Sequence, residues 1–257
     1  MKPVVKRSLQ IFGLLLALCV LGIAGLAYSA FGGRASIVDG AEPAPGVRII
    51  KDGIVTVGVV DAGDGKVLLI DAGNDPEGKA ILAELTRRHA APDAVSAIFL
   101  THGHPDHTAG AHLFPHAAVY ALQADVSLAE GREGSHGPVT HLFPPKDNGT
   151  RVSNVAHDGD TITVGSAQVR VFALPGHTAG SAAYLTRAVL FLGDSAGLKS
   201  DGTLTGSPWA LSDNGAQNHA SLRALADRLR PEQVGIVAIA PAHTATATFD
   251  PLAQYKP

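Results

Sequence analysis

Between residues 102 and 107 the chain places three imidazoles, His102, His104 and His107, and one carboxylate, Asp106. These are side chains that bind zinc as neutral nitrogen and anionic oxygen donors. The apolar run Val95-Ser96-Ala97-Ile98-Phe99-Leu100 just before them reads as a buried strand. The cluster therefore falls where a strand gives way to a loop and then a helix. His102 and His104 stand two apart, so in extended backbone they point the same way. Pro105 bends the chain and frees Asp106 and His107 to face another point in space. One ligand pair for one metal and a second pair for a neighbouring metal is the natural reading.

Other ligand types recur in the same kind of place. A strand over 67–70 ends at Asp71-Ala72-Gly73, one over 168–173 leads to Pro175-Gly176-His177, one over 189–192 to Gly193-Asp194-Ser195, and one over 235–240 to Pro241-Ala242-His243. Strand ends of buried sheets are where sites are assembled. Helices are expected over 76–90, 123–130 and 215–230, and the aperiodic stretch 131–150 reads as a loop. Two strand-then-helix halves, without an exact repeat, predict two sheets packed face to face with helices outside. The length of 257 residues accommodates one large domain or two small ones.

Composition narrows the partners. A net charge of −3, with no long basic block, argues against nucleic acid. The only cysteine, Cys19, lies in the N-terminal apolar run, so no internal disulfide forms and no thiolate reaches the histidines. Lys2, Lys6 and Arg7 precede an uncharged stretch from Ile11 to Ala27. Residues 1–30 therefore read as a signal peptide or a membrane anchor, with the remainder exported to an extracytoplasmic or periplasmic compartment. Residues 31–46 read as a Gly-, Ala- and Pro-rich linker, and 47–257 as the folded domain.

Taken together, Thr-His-Gly-His-Pro-Asp-His at 101–107, Pro-Gly-His-Thr at 175–178, Gly-Asp-Ser at 193–195 and Ala-His at 242–243 resemble the metallo-β-lactamase superfamily. The likeness runs from about residue 47 to 244. It implies an α/β, four-layer αβ/βα sandwich with a site for one or two metals at one edge. Carried over by position, it implies that His102, His104 and His177 hold the first metal. It likewise implies that Asp106, His107 and His243 hold the second, and that Asp194 bridges the two. Asp71 matches the family's early Asp-x-Gly and is expected to support the ligands rather than bind. The last motif departs from the pattern: Ala242 stands where a glycine usually precedes the histidine.

Two zinc ions are the implied cofactor, with iron or manganese as alternatives. A divalent metal lowers the pKa of bound water to about 7, so a metal-bound hydroxide is expected to cleave an ester, thioester, lactone, amide or related bond in a small-molecule substrate. Asp106 is the expected proton carrier, and no serine nucleophile is required. Ser181 and Ser195 lack the Gly-x-Ser-x-Gly setting of one. Two other readings stay open. Some members are iron oxidoreductases of the persulfide dioxygenase kind, and a non-catalytic metal-binding module is conceivable. Outside the motifs, His136 and His141 lie in the 131–150 loop, and Trp209 is either a pocket wall or a buried anchor.

Overall fold

The structure is a computed structural model that describes residues 3–256, with the side chains at 3–11, 13–15 and 19 outside the description. Residues 1–34 form one unit and residues 35–257 another. The first is helix α1, Pro3–Phe31. Among the described residues no helix is long and apolar enough to cross a membrane. The membrane-anchor reading of residues 1–30 thus finds no spanning helix among the described residues. Lys2 lies outside the described residues, and the side chains of Lys6, Arg7 and Cys19 lie outside the description.

In the second unit a seven-stranded sheet runs in sequence order from β1 (Ala41–Ala44), β2 (Val47–Asp52), β3 (Val55–Gly63) and β4 (Lys66–Ile70) to β5 (Val95–Phe99), β6 (Ala118–Leu122) and β7 (Asn154–Ala156). The stretch 31–46, expected as a linker, thus contains β1, whose Ala41 and Ala44 pair with Ile49 and Val47. Pairings β1 to β4 are antiparallel and β4 to β7 parallel. The β3–β4 turn puts Asp64 and Gly65 at φ 52° and 72°, the positive-φ pair that matches the twist of a two-residue hairpin.

Helix α2 (Lys79–Arg87) crosses between β4 and β5, and α3 (Pro105–Thr108) and α4 (Val126–Ala129) follow β5 and β6. The second sheet is built from β8 (Thr161–Val164), β9 (Ala167–Ala173), β10 (Ala182–Thr186) and β11 (Val189–Gly193). A ribbon of β12 (Ala196–Leu198) and β13 (Leu204–Gly206), then α5 (Gly215–Leu229), lead to β14 (Ala238–Pro241), which lies parallel to β11 at the sheet edge. The chain closes with α6 (Asp250–Ala253).

Three apolar clusters give the layers. Val60, Leu68, Ile70 and Phe99 of the first sheet meet Val169, Val171, Tyr184 and Phe191 of the second. Ile81 and Leu85 of α2 pack on the other face of the first sheet, and Leu222, Leu225 and Leu229 of α5 on that of the second. This is the expected four-layer αβ/βα sandwich. Strands such as β11, buried along their whole length, are apolar on both faces because helices cover one side and a sheet the other. The sheets approach closely at Gly58, where a Cβ would run into the Phe191 ring. Truncating a fully buried Leu68 or Leu190 to alanine would cost roughly 2–5 kcal/mol.

Candidate metal centre

Every ligand-type residue singled out in the sequence leaves the sandwich at one edge. Asp71 follows β4 in the left-handed region at φ 63°, a conformation that aspartate tolerates better than most residues. It turns its carboxylate toward the segment after β5, where it accepts from Thr101 N at 2.7 Å and Thr101 Oγ1 at 2.8 Å, and meets His107 Nδ1 at 2.8 Å. His102 and His104 follow β5, with His104 in extended backbone at φ −66° and ψ 149° before the Pro105 turn. Pro105 opens α3, which carries Asp106 and His107. His177 follows β9, Asp194 follows β11, and His243 follows β14.

The first three nitrogens form a tight triangle. His102 Nε2 lies 3.0 Å from His104 Nδ1, and His177 Nε2 lies 3.2 Å from His102 Nε2 and 3.0 Å from His104 Nδ1. On the other side, His243 Nε2 lies 3.4 Å from Asp106 Oδ2 and 3.1 Å from Asp194 Oδ2. His107 Nε2 is 3.6 Å from Asp106 Oδ2 and 3.2 Å from Asp194 Oδ1, without an in-line hydrogen bond. Asp194 spans the two groups, because its Oδ2 also lies 3.6 Å from His177 Nε2. All seven expected ligands are thus brought together, and Asp71 stands behind them.

Hydrogen bonding fixes which nitrogen each ring offers. A carbonyl only accepts, so the 2.7 Å contact of His243 Nδ1 with Ile54 O places the proton on Nδ1. His107 Nδ1 donates to the Asp71 carboxylate. The Thr101 hydroxyl gives its proton to Asp71, so it accepts from His102 Nδ1 at 3.2 Å. Ser212 Oγ gives its proton to Pro208 O at 2.7 Å and accepts from His177 Nδ1 at 3.3 Å. Four rings therefore turn Nε2 inward, bare in His102 and His177, while His104 presents Nδ1. Bare lone pairs about 3 Å apart repel unless a cation or a shared proton lies among them. His104 Nε2, His107 Nε2 and Asp194 Oδ1 are buried and have no hydrogen-bond partner. The donor set and the orphaned His107 Nε2 and Asp194 Oδ1 fit a metal centre.

Charge divides the site. Burial, reinforced by neighbouring imidazoles, holds His102 well below the ordinary histidine pKa; His104 is lowered chiefly by burial, and His177 falls to about 3 by the same cause. Burial acts the same way on His107 and His243, but carboxylates outweigh it there. Asp106, Asp71 and Asp194 lift His107 well above its ordinary value, and Asp194 with Asp106 lifts His243 to about 10. Burial also opposes the charge on Asp194 and Asp106, yet His243 and His107 hold both carboxyls below the usual carboxylate range.

Several supporting groups carried no signal in the sequence. Ser212 and the Ile54 carbonyl orient His177 and His243, and Asp125 sits against Gly103, Thr178 and Gly180. His136 and His141 bind their own loop, through Glu133 Oε1 at 3.1 Å and Gly137 O at 2.9 Å. That loop joins the segment after β13, where Val139 N donates to Ala210 O at 2.9 Å. Trp209, in the same segment, is 47% exposed, so it is not a buried anchor.

Curated relatives cover only part of the chain. It is 32% identical over 141 residues to the hydroxyacylglutathione hydrolase of Citrobacter koseri, and 28% identical over 138 residues to that of Serratia proteamaculans. Each match takes in 53% of this chain and 45% of the relative, so the chain spans less than half the length of these proteins. Among solved structures, the metallo-beta-lactamase SMB-1 bound to 2-mercaptoethanesulfonate superimposes with a TM-score of 0.60 at 20% identity over 81% of each chain. A B3 metallo-beta-lactamase with an active-site glutamic acid gives 0.61 at 20% identity, over 82% of this chain and 80% of that one. At such identities the likeness speaks to fold. The model of the metallo-beta-lactamase superfamily matches residues 50–243, from β2 to the last histidine of the site, and the chain belongs to that superfamily.

Proposed function

We propose that residues 47–257 act as a metal-dependent hydrolase, with His102, His104 and His177 holding one divalent cation and Asp106, His107 and His243 a second. Asp194 is the shared ligand. One observation carries this reading: four inward-facing Nε2 atoms and one Nδ1 converge with the carboxylates of Asp106 and Asp194, and the buried His107 Nε2 and Asp194 Oδ1 among them have no hydrogen-bond partner. Zinc suits a set of imidazole and carboxylate donors, as do iron and manganese. Cations bound there supply Lewis acidity and a water acidified to near neutrality.

The chain's own groups do the rest. Asp71 and Ser212 keep His107 and His177 in the ligating tautomer. Asp106 is half-buried while its neighbours His107 and Asp194 are sealed, so its carboxylate is placed to carry a proton from water to a departing group. The curated relatives are thioester hydrolases by name, which favours an acyl bond, thioester or ester, in a small molecule.

The test combines metal analysis with a substrate panel containing a thioester, a lactone, nitrocefin and bis-p-nitrophenyl phosphate. Two zinc per chain, turnover of at least one acyl substrate, and loss of that turnover in His104→Ala are expected. Turnover that survives His104→Ala would overturn the assignment. Iron in the purified protein, with oxygen uptake on a glutathione persulfide, would replace the hydrolase with an oxidoreductase.

A further inference from the structure

His102 and His104 leave the first sheet after β5, whereas His177 leaves the second sheet after β9. Their nitrogens form a triangle only if two loops from different sheets are held in register. A buried carboxylate stands between those loops. Asp125 ends the 3-10 turn Gln123–Asp125 after β6 and is 1% exposed. Its Oδ2 accepts from Gly103 N at 2.8 Å and Thr178 Oγ1 at 2.7 Å, and its Oδ1 accepts from Gly180 N at 2.7 Å. Gly103 separates His102 from His104, and Thr178 follows His177.

The two glycines show that the junction is built for close approach. A Cβ on Gly180 would lie 2.5 Å from Asp125 N and 2.7 Å from Asp125 Cβ. One on Gly103 would lie 2.6 Å from Ala129 N, on the helix that follows Asp125. No side chain fits at either position, so both amides reach the carboxylate directly. A backbone bond, Ala182 N to Thr101 O at 2.7 Å, joins the same two segments one layer deeper, but it lies outside the ligand-bearing turns. The desolvation of a carboxylate is offset here by three donors, and all three belong to ligand loops.

We propose that Asp125 is the positioning residue of the first ligand set: its carboxylate sets the spacing between the His102–His104 turn and the His177 turn. The inference rests on the metal-centre reading above. Its effect is expected to fall on that set, because among the described residues Asp125 hydrogen-bonds the His102–His104 turn and the His177 turn and not α3 or the segment carrying His243.

Stepwise binding of Co2+ and Zn2+ to the full chain tests it, followed by absorption and calorimetry, with thermal melting of the metal-free proteins alongside. In Asp125→Asn an amide NH2 faces donors that need an acceptor, and one of the two binding steps is expected to weaken about 10- to 100-fold. The other step should stay within about threefold. Thr178→Val removes one of the three bonds without touching the charge, and is expected to weaken the same step by a smaller factor; it carries the test if Asp125→Asn does not fold. Both variants binding both cations like the parent would overturn the proposal, as would equal weakening of both steps, or a lowered melting temperature with unchanged affinities. A parent chain that binds neither cation would overturn the metal-centre reading and this inference with it, and is told apart from the other failures because no variant is needed to see it.

Discussion

His107 Nδ1 and the Asp71 carboxylate lie 2.8 Å apart with both side chains sealed from solvent. The aspartate reaches that position from a left-handed backbone at φ 63° and holds Thr101 with the same carboxylate. Asparagine tolerates that backbone too, so Asp71→Asn should keep the fold. It supplies one acceptor where the site uses two, which leaves either His107 or Thr101 poorly held. Metal affinity is expected to fall about 10- to 100-fold, the usual effect of losing such a partner. Metal titration of Asp71→Asn checks this; an affinity equal to the parent's would show that Asp71 serves only its turn.

Metal uptake should release protons. In the metal-free chain His243 titrates at about 10 and His107 well above its ordinary value, so both Nε2 atoms carry protons at pH 7. The depressed His102, His104 and His177 are already bare there. Binding at pH 7 is therefore expected to release about two protons, and affinity should rise with pH by up to about tenfold per unit for each proton released. Calorimetry in buffers of different ionisation enthalpy counts them. The bare trio makes the stability of the metal-free fold move the same way: unfolded imidazoles take up protons below about 6.5 that the folded ones refuse, so its contribution is lost as pH falls from there toward 3.

The ligands were legible in the sequence because each stands directly after an apolar strand, and strand ends on one edge of a sandwich converge. Their supports were not. Asp125 meets Gly103 across 22 positions and Gly180 across 55, and an aspartate in a turn has many ordinary reasons to be there. Ser212 likewise finds His177 only through the fold, 35 positions away.

Helix α2 begins at Lys79 rather than near Pro76 because the Asp75 carboxylate accepts from Glu77 N at 2.9 Å, and Gly78 at φ 59° turns the chain first. Strand β1 hid in a Pro- and Gly-rich stretch because its identity comes from pairing with β2, not from its own residues. Asp52 closes β2 and is buried, accepting from Asn74 N at 2.7 Å and Asp75 N at 2.8 Å.

Ser212 offers a milder perturbation of the same site. Its hydroxyl is the acceptor that keeps the proton on His177 Nδ1 and the lone pair on Nε2. In Ser212→Ala the ring loses that bias, and the other tautomer, useless for ligation in this pose, becomes accessible. Affinity for one cation is expected to fall about tenfold, at the lower end of the range for such partners, with little change in melting temperature. An unchanged affinity would mean that packing alone orients the ring.

Glu84 carries the last prediction, away from the metal centre. It is 5% exposed on α2 and accepts from Arg87 Nε at 2.7 Å, Arg87 Nη2 at 2.7 Å and Arg88 Nε at 2.6 Å, with Arg48 Nε of β2 at 3.2 Å. Burial works against its charge, but Arg87 and Arg88 outweigh it and hold the carboxyl below its ordinary value of 4.5. A carboxylate lowered in the folded chain contributes stability above its unfolded pKa and loses it as pH falls through the folded one. Glu84→Gln should therefore cost roughly 1.5–3 kcal/mol near pH 7, the range for hydrogen bonds to charged groups, and the gap to the parent should close as the solution is taken well below pH 4. The charge links α2 to β2 and touches no ligand, so metal affinity at neutral pH should not change. Melting curves of both proteins across that range decide it: a gap that persists into acid would mean that shape, not charge, makes Glu84 matter.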